Sequence, residues 1–142
     1  THSVIELRLL LSAVNEIAWW GWEQDTSVDS ANFIIFQESA DAFQAWSRRN
    51  WVDTSFNLSD PTGGLSTAHT YIIRWSPNAV QWWIDNTLRT NTTTNVPTVG
   101  LYASIRAYAL PVDVDWVKIR LGAVLEPTAG LCDTAPLPTS TP

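Results

Sequence analysis

The clearest feature of the chain is an alternation of apolar and polar positions with the two-residue period of β-strands. Between Ile5 and Leu11 every second residue is apolar, and the residues between them include Glu6 and Arg8. Amphipathic helical spacing is hard to find. The alternation predicts strands at residues 3–12, 16–24, 32–38, 42–49, 51–58, 87–92, 99–109 and 112–121.

The stretch from His69 to Asn86 predicts an antiparallel hairpin. Two runs of β-branched and aromatic residues flank Ser76-Pro-Asn78, whose residue types favour a tight reversal. A second turn is predicted at Asp85-Asn86. The aromatic content of both runs indicates a hairpin half buried in a sheet that packs on another layer.

Strands spaced about 8–12 residues apart, with turn residues between them, indicate an all-β sandwich or barrel. A short helix at 42–46 is an alternative, but the alternation there favours a strand. The length of 142 residues fits one domain. We expect a β-sandwich domain at 1–125 and a Pro/Thr-rich tail or linker at 126–142.

The charge balance argues against nucleic acid as a partner. The formal net charge is −6, Lys118 is the one lysine, and no basic run exceeds Arg48-Arg49. Phosphate binding depends on clustered cations, which this sequence lacks. No apolar run approaches the roughly 20 residues that span a bilayer.

Several features predict an extracellular protein. The tail resembles the linkers and O-glycosylated stalks of exported proteins. Asn57-Leu-Ser59 and Asn91-Thr-Thr93 match the N-glycosylation sequon. The one cysteine, Cys132, lies in the tail, where it is either inert or forms an intermolecular disulfide with another chain.

The motif His69-Thr-Tyr-x-x-x-Trp-Ser-Pro-x-x-Val-x-Trp-Trp-Ile-Asp85, followed by Val114-Asp-Trp-Val-Lys118, resembles a known superfamily. It is similar to the concanavalin A-like lectin/glucanase superfamily, and more narrowly to the C-terminal half of laminarinase-type family 16 glycoside hydrolases and their non-catalytic bacterial relatives. The resemblance implies an antiparallel, two-sheet jelly-roll sandwich.

Two departures from that family change the expectation. The acidic motif E-x-D-x-x-E of the hydrolases is absent. The strands that the family places before Ser3 are also missing, which predicts an unpaired edge and exposed apolar surface. The missing piece is another chain, a neighbouring subunit or residues outside this sequence. Calcium is common in the superfamily, so a Ca²⁺ ion held by loop carboxylates and carbonyls remains an alternative. The sequence names no ligand set for it, and we predict no cofactor and no metal-binding residue.

Candidate catalytic residues are few. Glu23 and Asp25 share a strand face, as a glycosidase pair would, but the end of a strand predicts a solvated loop. Asp113 and Asp115 also share a face, and the resemblance makes Asp115 structural. His69 belongs to the family's packing motif. We therefore predict no catalytic residue.

The nine tryptophans are the remaining candidates for a functional role. An indole offers a wide flat face and one N–H donor, which suits core packing, protein interfaces and the stacking of sugar rings. Outward-facing rings beside long polar side chains would suit a glycan. The predicted carbohydrate-binding residues are Trp20, Trp22, Gln24, Arg48, Arg74, Gln81 and Trp83.

Three functions remain open from sequence. The first is a secreted, non-catalytic β-sandwich that binds a polysaccharide or glycan across one sheet face. The second is a structural subunit of an extracellular assembly or fibre, which self-associates or accepts a strand from a partner chain. The third is a divergent glycoside hydrolase.

Overall fold

A computed structural model describes residues 2–11, 17–25, 30–39, 42–108 and 111–121. This part of the chain contains ten strands and no helix, so it has no helix that could cross a membrane. The strands are β1 (Ser3–Leu11), β2 (Ala18–Glu23), β3 (Phe33–Ser39), β4 (Ala42–Arg49), β5 (Val52–Leu58), β6 (His69–Ser76), β7 (Ala79–Ile84), β8 (Thr87–Thr92), β9 (Tyr102–Ala107) and β10 (Val112–Leu121).

The strands follow the predicted positions closely. The segment at 42–49 is a strand, and the alternative helix does not form. The predicted hairpin consists of β6 and β7, joined at Pro77 and Asn78. In the next turn Asp85 and Asn86 both have positive φ, at 49° and 63°, which Asn and Asp tolerate better than most residues.

The strands form two five-stranded antiparallel sheets. The first sheet has the order β10-β1-β6-β7-β8, and the second has the order β5-β4-β3-β2-β9. Because β1 pairs with both β10 and β6, the predicted open edge does not lie at β1. In the described part of the chain, β10 is the edge strand next to β1 in the first sheet, and β9 is the edge strand next to β2 in the second sheet.

The core lies between the sheets. Leu7 of β1 and Tyr71 of β6 point into it from the first sheet, and Phe36 of β3 points into it from the second. The indole N–H of Trp82 crosses the core and donates to the carbonyl of Ile35, with 3.0 Å between nitrogen and oxygen. This hydrogen bond links the two sheets directly across the core.

Trp20 and Trp22 belong to this core, so their predicted place on a carbohydrate-binding surface is wrong. Their side chains are 0% and 3% exposed, and Trp20 contacts Tyr71 with 4.9 Å between ring centroids. Alternation correctly places both indoles on one face of β2. It does not indicate which face the opposite sheet covers, and that face is theirs.

Gly21 separates these two indoles and has φ of +150°, which side chains rarely tolerate. A Cβ atom built there would lie 2.3 Å from the carbonyl oxygen of Ile34 and 2.7 Å from the Cδ1 atom of Ile73. Both distances are shorter than van der Waals contact. Glycine at this position therefore lets the sheets approach.

β10 has apolar side chains that the described part of the chain covers only in part. Register with β1 puts Val114, Val117, Ile119 and Leu121 on the inward face, yet their exposed fractions are 41%, 42%, 48% and 70%. Across the core, Trp22 of β2 contacts Trp75 at the end of β6, while Tyr71 near the start of β6 contacts Phe36 of β3 and Phe43 of β4. The strands of the two sheets therefore cross at an angle. In the described part of the chain, the inward-directed side of β10 is thus an exposed apolar surface on an edge strand.

The tail at 126–142 and Cys132 lie outside the described residues. The described residues contain no group of three or more His, Cys, Asp or Glu side chains placed to hold a metal ion.

Candidate functional site

The outer face of the second sheet, which points away from the core, carries an ordered array of aromatic and polar side chains. Strand pairing sets three rows across β9, β2, β3, β4 and β5. The first row is Tyr102, Glu23, Phe33, Arg48 and Asp53; the second is Ser104, Gly21, Ile35, Trp46 and Ser55; the third is Arg106, Trp19, Gln37, Gln44 and Asn57.

A groove of about 270 Å³ lies on this face, and we call it the outer-face groove. Most of its lining is apolar or aromatic, with polar groups at intervals. The lining residues are Ile17, Trp19, Glu23, Ser30, Phe33, Ile35, Gln37, Trp46 and Arg48. A shallow groove of this composition suits a ligand that has both flat apolar faces and hydroxyl groups.

Arg48 is fixed at one end of the groove. Its Nε and Nη2 atoms bond the two carboxylate oxygens of Asp53 at 2.5 and 3.0 Å. Its guanidinium carbon lies 4.7 Å from the Phe33 ring centroid and 5.7 Å from that of Trp46. Phe33 and Trp46 meet edge to face with 5.4 Å between centroids. The bidentate ion pair and the cation–π contacts leave this side chain little freedom.

A second aromatic cluster lies toward β9. The ring centroids of Trp19 and Tyr108 are 5.3 Å apart in an edge-to-face arrangement. The guanidinium carbon of Arg106 lies 5.7 Å from the Trp19 ring centroid. Aromatic side chains are therefore present on both sides of the groove.

Glu23 is the buried acid of the groove. Its side chain is 5% exposed, and its Oε2 atom lies 2.5 Å from the Nη2 atom of Arg106. Burial raises the pKa of Glu23 above its usual range, because desolvation outweighs the opposing effects of Ser104, Arg106 and Trp19. A carboxyl group of this kind holds a proton more readily than an exposed one.

The structure brings few of the predicted site residues together. Arg48 lines the groove, and Gln24 lies at the end of β2, where its amide oxygen accepts a 2.7 Å hydrogen bond from Asn32. Arg74, Gln81 and Trp83 lie on the outer face of the first sheet, on the opposite side of the molecule. There the Arg74 guanidinium carbon is 4.8 Å from the Trp83 centroid, and the Trp83 indole bonds Gln81 at 3.4 Å.

The two sequon asparagines are exposed on opposite faces. Asn57 lies on edge strand β5, at the end of the third row, and its side-chain oxygen accepts a 2.7 Å hydrogen bond from Gln44. Asn91 of β8 pairs with Gln81 on the first sheet. Both positions are accessible at the protein surface.

Sequence reasoning missed three aromatic residues of the groove, namely Trp19, Phe33 and Trp46. It considered Glu23, but the solvated loop end that it predicted there is wrong, because Glu23 is a buried residue of β2. It also missed Arg106, the partner of Glu23. The alternation along β2 could have indicated Trp19 and Glu23. These two residues lie on one face of the strand and Trp20 and Trp22 on the other, so if one pair points into the core, the other pair points to the outer face. Nothing in the local sequence indicates that Glu23 pairs with Arg106, because their strands become neighbours only through the order of strands in the sheet.

Comparison with known proteins supports the fold through structure alone. No family model and no curated protein sequence matches the chain. A Bacillus licheniformis β-glucanase matches with TM-score 0.59 and 17% identity, over 82% of this chain and 64% of the glucanase. Sheep galectin-11 matches with TM-score 0.59 and 8% identity, over 84% of this chain and 90% of the galectin.

A further match is CG-16, a homodimeric agglutinin from chicken liver, with TM-score 0.55 and 11% identity, over 84% of this chain and 90% of that protein. The chain thus spans less than two thirds of the glucanase and most of the two lectin-like proteins. The resemblance indicated by the His69–Asp85 motif is confirmed at the level of the fold. The two antiparallel sheets form the concanavalin A-like jelly roll, the fold that β-glucanases and galectins share.

Proposed function

We propose that the protein binds a neutral polysaccharide in the outer-face groove, and that it does so without hydrolysing it. The observation that carries the proposal is the groove itself, in which Trp19, Phe33 and Trp46 surround a shallow cavity edged by polar groups. Pyranose rings have C–H faces that stack on aromatic rings and hydroxyl groups that take hydrogen bonds.

Two buried polar atoms support a ligand rich in hydroxyl groups. The indole nitrogen of Trp46 and the Oε1 atom of Glu23 are both buried, and neither makes a well-formed hydrogen bond with the described residues, although Ser104 and Trp19 lie near the Glu23 carboxyl group. A buried polar atom without a partner costs free energy. One supplies a donor and the other an acceptor, and the several hydroxyl groups of a sugar can provide both kinds of partner.

The charges of the groove favour a neutral ligand over an acidic one. Arg48 is paired with Asp53, and Arg106 is paired with Glu23, so each cation at the groove already has a carboxylate beside it. The net charge of −6 adds a repulsive field against polyanions. We expect uronate-rich polysaccharides to bind more weakly than neutral glucans.

The placement of carboxyl groups supports binding rather than hydrolysis. Glycosidases use two carboxyl groups about 5–10 Å apart. Asp53 of β5 lies three strand spacings from Glu23 of β2, so their backbones are about 14 Å apart. Asp25 is closer to Glu23 in sequence, but it is exposed and lies past the end of β2.

The fold neighbours are consistent with a saccharide ligand, since they include β-glucanases and an agglutinin. We also propose that the protein acts outside the cell. The two sequons support this, because Asn57 and Asn91 both lie at exposed strand positions that a glycan could occupy.

Affinity electrophoresis and calorimetry with barley mixed-linkage β-glucan, laminarin and alginate test the main proposal. Replacing Trp46 with Ala should weaken glucan binding about 5- to 10-fold, the size of one lost stacking contact. Trp83→Ala is the matched control, because it removes an indole from the opposite sheet and should leave binding unchanged. Failure of the wild type to bind any neutral polysaccharide would refute the proposal.

A second candidate function, self-assembly through β10, is favoured by the exposed apolar face of that strand. Its outward face carries Asp113 near one end and Arg120 near the other. Suppose that the β10 strands of two copies pair antiparallel about a two-fold axis. Val117 of one copy then faces Val117 of the other, and Asp113 of each copy faces Arg120 of the other. Asp115 stays bulged out of register in that pair, as it is against β1.

Light scattering at increasing protein concentration tests this assembly. Asp113→Arg should weaken the dimer because it places like charges opposite each other, and adding Arg120→Asp should restore the dimer by exchanging the charges. A wild type that stays monomeric at every concentration would exclude the second function and leave the first intact.

A further inference from the structure

The turn between β4 and β5 holds an aromatic residue in a conformation that side chains of its size avoid. Asn50 has φ of 48° and Trp51 has φ of 69°, so both lie in the left-handed region. Two-residue hairpin turns of this shape usually carry Asn followed by Gly. A bulky residue in the second position is strained.

Burial does not offset this strain, because the Trp51 side chain is 60% exposed. Hydrogen bonds hold the turn instead. The backbone N–H of Trp51 donates to the carbonyl of Ala31 at 3.0 Å, and that of Asn50 donates to Oδ1 of Asn32 at 3.0 Å. Asn32 is 4% exposed and also donates to Gln24. The surrounding structure therefore enforces the unfavourable conformation.

The enforced conformation places the indole at the end of the outer-face groove. The guanidinium carbon of Arg48 lies 5.8 Å from the Trp51 ring centroid, and Phe33 and Trp46 contact the same guanidinium. Trp51 thus adds a third ring next to two that line the groove. Unlike those two, it offers most of its surface to solvent.

Residues that are held in a strained backbone conformation are concentrated at functional sites. Glycine would relieve the strain here, and it would give the turn the sequence Asn-Gly. The exposed indole makes no compensating contribution to the core, so its use lies in what it contacts from outside.

We propose that Trp51 is a sugar-stacking platform that extends the outer-face groove beyond Phe33 and Trp46 to a further unit of a bound glucan chain. The inference rests on the proposed function and adds one binding subsite to it. Short oligosaccharides fill the groove without reaching Trp51. Longer ones reach it and gain affinity from the added stacking contact.

Trp51→Gly tests the subsite, since glycine keeps the left-handed turn and removes the ring. Calorimetry with laminari-oligosaccharides and mixed-linkage oligosaccharides, from the disaccharide to the hexasaccharide, gives affinity as a function of chain length. We expect the variant to lose about 5- to 10-fold in affinity for the longest chains and to match the wild type for the shortest. Its melting temperature should rise, because the strain is relieved.

Each result decides between the proposals. Equal affinity of Trp51→Gly and the wild type at every chain length overturns the subsite and leaves groove binding intact. An equal loss at every length also overturns it, since Trp51 would then act on the groove itself. If the wild type binds none of these sugars or their parent glucans, groove binding fails, and the subsite fails with it. Trp83→Ala, on the opposite sheet, should bind like the wild type at all lengths.

Discussion

His69 Nδ1 lies 2.6 Å from the Oδ2 atom of Asp85 and joins the start of β6 to the turn that follows β7. The other ring nitrogen of His69 lies 2.8 Å from the Thr67 hydroxyl and 3.0 Å from the Gly64 carbonyl. Oδ1 of Asp85 accepts the backbone N–H of Thr70 at 2.9 Å. One carboxylate therefore anchors both the hairpin and, through His69, the loop before it.

Acidification should weaken this anchor. Desolvation by burial acts to raise the pKa of Asp85, but the hydrogen bonds from Thr70 and His69 outweigh it and hold the pKa below its usual range. A depressed carboxyl pKa gives stability that is present above the unfolded-state pKa of about 4 and is lost as the pH falls further. Asp85→Asn should lower the free energy of unfolding at pH 7, and the difference from wild type should shrink toward pH 2. Urea titrations at both pH values measure it; a difference that stays constant would contradict the assignment.

Glu23 should show the opposite pH dependence. Because burial raises its pKa, the folded protein binds the proton more tightly than the unfolded chain does. The ionised carboxyl therefore costs stability at neutral pH, and this cost disappears as the pH falls through the raised pKa. Relative to Glu23→Gln, the wild type should gain stability between pH 7 and pH 4.5, as followed by thermal unfolding.

The same Glu23→Gln variant tests for hydrolysis. If the groove binds without catalysis, the wild type and the variant should release equally few reducing ends from laminarin and mixed-linkage β-glucan. A rate in the wild type that Glu23→Gln abolishes would identify Glu23 as a catalytic acid and the protein as a glycosidase.

Gly21→Ala should destabilise the fold by about 2 kcal/mol or more. The added methyl group meets the Ile34 carbonyl and the Ile73 side chain at distances shorter than contact, in a backbone conformation that alanine disfavours. Gly100→Ala is the matched control, because nothing lies within 4 Å of its added Cβ atom. The free energy of unfolding of the control should stay within about 0.5 kcal/mol of wild type.

Asn32→Ala should cost about 2 kcal/mol of unfolding free energy, because it leaves the Asn50 N–H and the Gln24 side chain without a buried partner. Asn57→Ala is the comparison, since Asn57 is exposed and bonds Gln44 at the surface. Its cost should be a few tenths of a kcal/mol. Equal costs for the two variants would show that the turn does not depend on Asn32.

The alternation of residues predicts the strands well because it follows from backbone geometry alone. It places β4 and the β6–β7 hairpin where the structure has them. It does not indicate which face of a strand is covered, so a prediction from sequence places Trp20 and Trp22 on a binding surface and leaves Trp19 out. That choice depends on the opposing sheet, which is set by contacts between residues far apart in sequence.

The alternation of apolar and polar residues also does not predict the order of the strands within a sheet. Arg48 and Arg74 both lie on outward faces, but on different sheets, so no single site contains them. The groove depends on β9 lying beside β2, which brings Arg106 to Glu23. Pairs of this kind follow from topology rather than from local sequence.

The confinement of Arg48 has a consequence for the energetics of ligand capture. Its two bonds to the Asp53 carboxylate and the rings beside it restrict its rotamers through contacts within the protein. Little side-chain entropy is left to lose when a ligand arrives, so the groove is preorganised. Calorimetry over a range of temperatures should therefore record a negative heat-capacity change from desolvated aromatic surface, with little entropic penalty from ordering of the protein.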